Sequence, residues 1–305
     1  MPRLFHRLAF SGATGATGDA VHGVLRHNAR MNDHEARSRP IGVFDSGVGG
    51  LTVVKALREA LPHEDLVYLG DTARLPYGTK SAVSISRYAC QATVHLQKQG
   101  IKLLVVACNT ASAVALEALR QQMRPLPVIG VVEPGAKAAV ATGLGGAHLV
   151  LATEATVRLG AYHDAIKAQD AGADVRELAC ELLVSLAEEG WTDGAIATGI
   201  VTRYLQPIVD ASYQPDCVIL GCTHFPLLRE VIAGVIGGGT VVVDSASTTA
   251  EFARHVLADA GLANASSAAG SLRLLATDGA TRFSRVGGRF LGERLAASDI
   301  EIVDL

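Results

Sequence analysis

The sequence predicts an α/β protein of two similar domains with mostly parallel central sheets. Three observations predict it. Short aliphatic runs alternate with amphipathic helical stretches from Pro40 to the C-terminus. Those runs are continuously apolar, the pattern of strands covered on both faces by helices. The alternation also restarts midway: Leu103-Leu104-Val105-Val106-Ala107-Cys108 has a partner in Val218-Ile219-Leu220-Gly221-Cys222, each an apolar run delivering a cysteine. A chain of 305 residues exceeds one average domain.

In the first half, strands are expected over residues 41–45, 66–70, 103–107 and 128–132. Helical patterns run from the turn Ser46-Gly47-Val48-Gly49-Gly50 through Leu61, over 81–99 and over 111–123. Ser81 is the expected N-cap of the second helix and Gly100 its stop. The second half adds strands at 148–153, 175–179, 217–221 and 240–244, with helices at 155–167, 182–189, 193–211 and 226–236. A tail contributes a helix over 246–260, a strand over 272–276, a helix near 282–295 and a strand over 300–303. Turn-like breaks at Glu133-Pro134-Gly135 and around Asp244-Ser245 bracket the second half. The expected layout is one domain from residues 40–134 plus 245–305, with a second, 135–244, inserted between.

Residues 1–39 read differently. They carry the repeat Gly-Ala-Thr-Gly-Ala-Thr-Gly at 12–18, scattered Arg and His, and no sustained period or apolar signal core. The expectation is a disordered extension, or translation starting at Met31, with no catalytic role.

Bulk properties exclude several classes. The formal net charge of −3 comes without a basic stripe, which argues against nucleic acid or anionic membrane as partner. No apolar run approaches the roughly 18–20 residues of a membrane span. The five cysteines (Cys90, Cys108, Cys180, Cys217, Cys222) are odd in number, widely spaced and without a C-x-x-C pair. They make neither a disulfide framework nor a metal set, so free thiols in a reducing cytoplasm are expected.

In open α/β sheets, ligands sit beyond the carboxyl ends of the strands. Three polar clusters fall there: Asp45-Ser46-Gly47, Cys108-Asn109-Thr110 and Cys222-Thr223-His224. A cysteine between a strand end and a helix N-terminus feels the positive end of the helix dipole, which favours its thiolate. A lone cysteine is ordinarily a small buried hydrophobe, the reading given to Cys90, Cys180 and Cys217. Two in equivalent strand-end settings point instead to chemistry. Inversion at an α-carbon removes a proton from one face and returns one to the other, so two opposed groups suit it. Amide N–H groups and small hydroxyls near the carboxylate would stabilise the carbanion.

Asp45 and His224 are the candidate proton partners of these thiols, against ordinary readings as a helix N-cap and a structural histidine. The Ser46–Gly50 glycines let backbone approach a carboxylate but do not form G-x-G-x-x-G. Tyr77, in the turn-rich loop over residues 72–78, suggests a lid or ligand contact. A pyridoxal-phosphate enzyme would need a distinguished lysine, and none of Lys55, Lys80, Lys98, Lys102, Lys137 or Lys167 stands out. A cysteine hydrolase could use Cys222 with His224 but leaves Cys108 unexplained.

These clusters, with Gly70-Asp71-Thr72-Ala73-Arg74-Leu75-Pro76-Tyr77-Gly78 and Gly130-Val131-Val132-Glu133-Pro134-Gly135, resemble the signature segments of bacterial glutamate racemases from about Pro40 to the C-terminus. The resemblance implies a cofactor-independent racemase interconverting L- and D-glutamate, with the active site in the cleft between the two domains and with Cys108 acting on the D- and Cys222 on the L-enantiomer. It implies that Asp45 and His224 assist them. Substrate contacts would come from Asp45, Ser46, Tyr77, Gly78, Asn109, Thr110, Thr223 and His224. It further implies a cytoplasmic enzyme, commonly a homodimer, supplying D-glutamate for peptidoglycan. Related racemases acting on aspartate or a hydantoin are the nearest alternative.

The chain departs from the family pattern in its second half. Ala179-Cys180-Glu181-Leu182-Leu183-Val184-Ser185-Leu186-Ala187-Glu188 stands where Ala-Cys-Pro-x-Phe-Val-Pro-Leu-Val-Glu is usual, and Leu159 where serine is common. A reshaped cleft wall is expected. Glu188 keeps the family's glutamate and also reads as a solvated helix charge.

Overall fold

Two all-parallel sheets are wound by the same rule in this computed structural model, which describes residues 34–143 and 146–305. The strands of the first half are β1 (Ile41–Asp45), β2 (Leu66–Gly70), β3 (Leu103–Val106) and β4 (Val128–Gly130). Those of the second are β5 (Ala147–Ala152), β6 (Asp174–Ala179), β7 (Cys217–Gly221) and β8 (Val241–Asp244), and the tail adds β9 (Leu272–Ala276) and β10 (Ile300–Ile302). One sheet runs β10-β9-β2-β1-β3-β4, the other β6-β5-β7-β8. Each therefore places its first strand between its second and third. In such an order the crossovers leave the first and third strands in opposite directions, opening a crevice at their carboxyl ends. Asp45 and Cys108 close that crevice in the first sheet, Thr153 and Cys222 in the second.

The helices follow from the same periodicity: α1 (Leu51–Ala60), α2 (Ala82–Lys98), α3 (Asn109–Gln122) and α4 (Val132–Ala141) in the first part of the chain. Then come α5 (Glu154–Arg158), α6 (Ala161–Lys167), α7 (Leu182–Glu189), α8 (Gly194–Asp210), α9 (Arg229–Ile236), α10 (Ser245–Asp259) and α11 (Ala280–Leu291). The Ser81 hydroxyl caps α2 by accepting from Ser84 N at 3.3 Å, and Gly100 ends it at a φ of 71°. The central strands β1, β2, β3 and β7 are buried at every position, as continuous aliphatic runs require.

Several boundaries differ from expectation for local reasons. The single helix over 155–167 is two, because Gly160 adopts the left-handed region (φ 60°) between α5 and α6. The strand over 128–132 stops at Gly130. Val132 already begins α4, and the supposed break Glu133-Pro134-Gly135 is the first turn of that helix, where proline's missing N–H costs nothing. The helix over 226–236 starts as a 3-10 turn, Phe225–Leu228, before α9. The last helix ends at Leu291, with Gly292 left-handed (φ 79°), rather than reaching 295. Of the N-terminal extension, residues 1–33 with their repeat and Met31 lie outside the described residues, and residues 34–38 form a short helix. Arg37 Nε there donates to Gly261 O at 3.0 Å.

The two halves share packing. One apolar cluster holds Leu51 and Val54 of α1 together with Cys222, Phe225 and Leu228 beyond β7, and α10 lies along α1. Thr52 Oγ1 donates to Thr223 O at 3.1 Å, and Ala155 N to Gly78 O at 3.1 Å. The crevice ends of both sheets are thereby pressed together. Among the described residues, no helix is long and apolar enough to cross a membrane.

Candidate active site

Both strand-end cysteines open into one cavity between the sheets. Cys108 lines it from the first half with Ser46, Gly47, Tyr77, Gly78, Asn109 and Thr110; Cys222 lines it from the second with Thr223 and His224. Every substrate-contact residue expected from sequence lines this cavity except Asp45.

Cys108 is the N-cap of α3, with Ala111 N donating to its Sγ at 3.4 Å, and that Sγ donating to Ser46 Oγ at 3.3 Å. The helix terminus was expected to favour a thiolate. Burial instead pushes the Cys108 thiol up to about 12, the Asp45 charge adding to it, while Ser46 and Ala111 offset only part. Cys108 is therefore a thiol at neutral pH, the acid form.

Asp45 stands behind Cys108 rather than in the cavity. Its Oδ2 accepts from Gly47 N at 3.1 Å, Gly50 N at 3.0 Å and Tyr68 Oη at 3.1 Å. This is neither a helix N-cap nor a hydrogen bond to sulfur. The carboxylate ties down the glycine loop and presents a negative charge to Cys108. Gly50 permits it, since a Cβ there would lie 2.6 Å from that of Asp45.

Cys222 lies in a different environment. No regular helix begins at it; its Sγ lies 3.8 Å from His224 Nδ1, and His224 Nε2 lies 3.2 Å from Glu188 Oε1. Burial alone would lower the His224 pKa. Its bonds to Cys222 and Glu188 outweigh burial and push it up to about 10, so the ring is an imidazolium at neutral pH. The Glu188 carboxyl is held below the usual range, first by its bond to His224 and also by Arg282. Glu188 is thus no solvated helix charge; its side chain is 16% exposed.

The remaining walls are built from hydroxyls and loops. Thr110 Oγ1 meets Thr153 Oγ1 at 2.9 Å across the gap between the halves, and Thr153 Oγ1 meets Thr156 Oγ1 at 3.1 Å. Asn109 is fixed by Tyr162 Oη, which donates to Oδ1 at 2.7 Å, and by its own Nδ2, which donates to Ser245 Oγ at 3.4 Å. Tyr77 is buried and its hydroxyl is bound to Asp71. Sequence reasoning missed Thr153, though it directly follows β5 and the strand-end rule that singled out the cysteines would have found it.

The departures from the family pattern fall unequally. Glu181 and Val184 line the cavity, and Glu181 Oε1 accepts from Glu154 N at 2.5 Å, at the start of α5. Leu159 and Ser185 face solvent away from it. All five cysteines are free, with Cys180 and Cys217 buried in apolar clusters. No three His, Cys, Asp or Glu side chains among the described residues are gathered as a metal site.

Known proteins are similar to this chain in sequence and architecture. A glutamate racemase of Geobacter metallireducens is 48% identical over 257 residues, covering 84% of this chain and 94% of that protein. The glutamate racemase of Francisella tularensis subsp. tularensis, solved with D-glutamate, superposes with a TM-score of 0.81 at 35% identity, covering 88% of this chain and 98% of that one. That of Thermus thermophilus, solved with beta-chloro-D-alanine, gives a TM-score of 0.79 at 41% identity over the same shares, 88% and 98%. The Asp/Glu/Hydantoin racemase family model matches residues 41–253, from the start of β1 into α10. Two thiols at equivalent strand ends of two similarly wound sheets, with these relatives, place the chain in the Asp/Glu/Hydantoin racemase family.

Proposed function

We propose that this enzyme is a cofactor-independent glutamate racemase in which Cys108 and Cys222 are the two opposed acid–base groups. The observation that carries the reading is that these thiols, each at the third strand of its own sheet, open into one cavity. The two sheets serve as cores of two domains, residues 40–134 with 245–305 and residues 135–244, and the substrate binds between them.

With L-glutamate, the Cys222 thiolate takes the α-proton, paired with the His224 imidazolium. The Cys108 thiol, kept protonated by burial and by Asp45, gives its proton to the opposite face. The electron pair of the broken C–H bond rests on the α-carbon and its carboxylate until the new C–H bond forms. Asn109, Thr110 and Thr223 supply hydrogen bonds to that carboxylate, and the N-terminus of α3 stabilises its charge. Turnover leaves Cys108 as thiolate and Cys222 as thiol, the state that accepts D-glutamate. Ser46, Tyr77 and Gly78 complete the substrate contacts, with Asp45 acting from behind Cys108. The product D-glutamate feeds peptidoglycan synthesis in the cytoplasm, and the enzyme acts as a homodimer.

The test is incubation of the purified enzyme with L-glutamate in D2O without added cofactor, following α-deuterium uptake and optical rotation. Exchange with loss of rotation is expected; a folded enzyme showing neither would sink the proposal. Aspartate in the same assay separates the glutamate reading from its nearest alternative.

A further inference from the structure

Helix α11 lies in the tail whose strands join the first sheet, yet two of its arginines hold a residue of the second half. Arg282 Nη2 donates to Glu188 Oε2 at 2.7 Å, while the other carboxylate oxygen faces His224 Nε2 at 3.2 Å. Arg289, two turns further along the same helix, donates from Nη1 to Glu188 O at 2.5 Å. That carbonyl belongs to the last turn of α7, whose dipole favours a cation there. A Cβ on Gly190 would lie 2.9 Å from Arg289 Cζ, so the guanidinium lies directly against the chain leaving α7. The ring of Phe290, the next residue, meets His224 edge-on with centroids 4.9 Å apart.

We propose that Arg282 is a positioning residue for racemisation: it holds the Glu188 carboxylate across the interface between the halves so that His224 stays aimed at Cys222. The inference rests on the two-base reading above. A carboxylate bonded through one oxygen to an imidazole can still rotate about its side-chain torsions. A guanidinium on the second oxygen removes that freedom and offsets part of the carboxylate's charge. No equivalent brace exists for Cys108 among the described residues, so the effect is confined to one of the two thiols. The charged and titratable groups around the imidazole are Cys222 and Glu188, with Arg282 and Arg289 against Glu188, and Asp278 on the same cavity wall as Arg282. Phe290 of α11 and the Gly49 backbone also face it.

The test compares wild type, Arg282→Gln and Arg282→Lys using glutamate carrying deuterium at the α-carbon. Enantiomers have equal free energy, so kcat/KM must fall equally in both directions, on the order of tenfold in Arg282→Gln for a half-exposed charge-assisted bond. The isotope effect must not change equally. It rises for L-glutamate, whose proton Cys222 takes, and falls for D-glutamate, as the Cys222 step comes to limit both directions. Arg282→Lys, which keeps a cation within reach of Glu188, recovers part of the rate. Unchanged kcat/KM, or isotope effects altered alike for both enantiomers, would overturn the inference. A wild-type enzyme without α-deuterium uptake would instead overturn the racemase reading itself.

Discussion

His224 Nδ1 lies 3.8 Å from Cys222 Sγ, and this contact sets the two cysteines chemically apart. Cys108 has a serine hydroxyl and a helix amide as partners, whereas Cys222 has an imidazolium backed by a carboxylate. A pair of thiols that looks symmetric in sequence is asymmetric in its hydrogen-bonding and charged partners.

Replacing Glu188 by Gln removes the charge that helps hold His224 protonated. The His224 pKa, now pushed up to about 10, falls, and the basic limb of the pH–rate profile moves toward neutrality. Activity at neutral pH drops on the order of a hundredfold, the usual scale for losing an acid–base partner. A pH profile identical to wild type would show that the carboxylate has no part in the proton chemistry.

Gly49 is required by His224 rather than by its own backbone. A Cβ there would stand 2.3 Å from His224 Nδ1 and 2.5 Å from Thr223 Oγ1, so Gly49→Ala must displace the imidazole. Overpacking of this kind costs about 1–3 kcal/mol of stability. The expected signature is a loss of kcat far exceeding any change in melting temperature, measured by steady-state kinetics beside thermal unfolding.

The Cys108 thiol, pushed up to about 12 by burial and the Asp45 charge, should resist alkylation. Iodoacetamide reacts with thiolates, so at about pH 8 labelling of Cys108 should run on the order of a hundredfold or more below that of a free cysteine. Its rate should climb as pH rises. Peptide mass spectrometry over a pH series measures it, and rapid labelling at neutral pH would contradict the assignment of Cys108 as the resting acid.

Stability has its own test away from the cavity. Lys102 and Glu64 form an ion pair with side chains 1% and 3% exposed, and Glu64 Oε1 also accepts from Asn264 N at 2.7 Å. Lys102→Met strands a buried carboxylate and should cost about 3–5 kcal/mol. Adding Glu64→Gln should return part of that loss in chemical denaturation, with activity per folded molecule unchanged.

Most of this architecture was legible in the sequence because parallel strands buried on both faces must be continuously aliphatic. The runs ending in Asp45, Cys108 and Cys222 therefore announced both the sheets and their crevice ends. Misplaced boundaries depended on single residues whose conformation a pattern does not reveal, such as Gly160 turning left-handed and Val132 starting a helix early. The partners of the site were harder to read. Glu188 is separated from Arg282 by 94 residues and meets it only because the tail helix α11 comes to lie against α7. Likewise the favoured thiolate expected at Cys108 follows from its helix terminus alone. Burial and the charge of Asp45, both tertiary, reverse it.

The two-base mechanism is tested most directly by racemisation and α-deuterium uptake in Cys108→Ser and Cys222→Ser, each assayed from both enantiomers. Serine keeps the shape and the hydrogen bonds but not a usable acid–base group near neutral pH. The mechanism predicts that either substitution abolishes or severely impairs racemisation in both directions. Retention of near wild-type racemisation by either variant would contradict it.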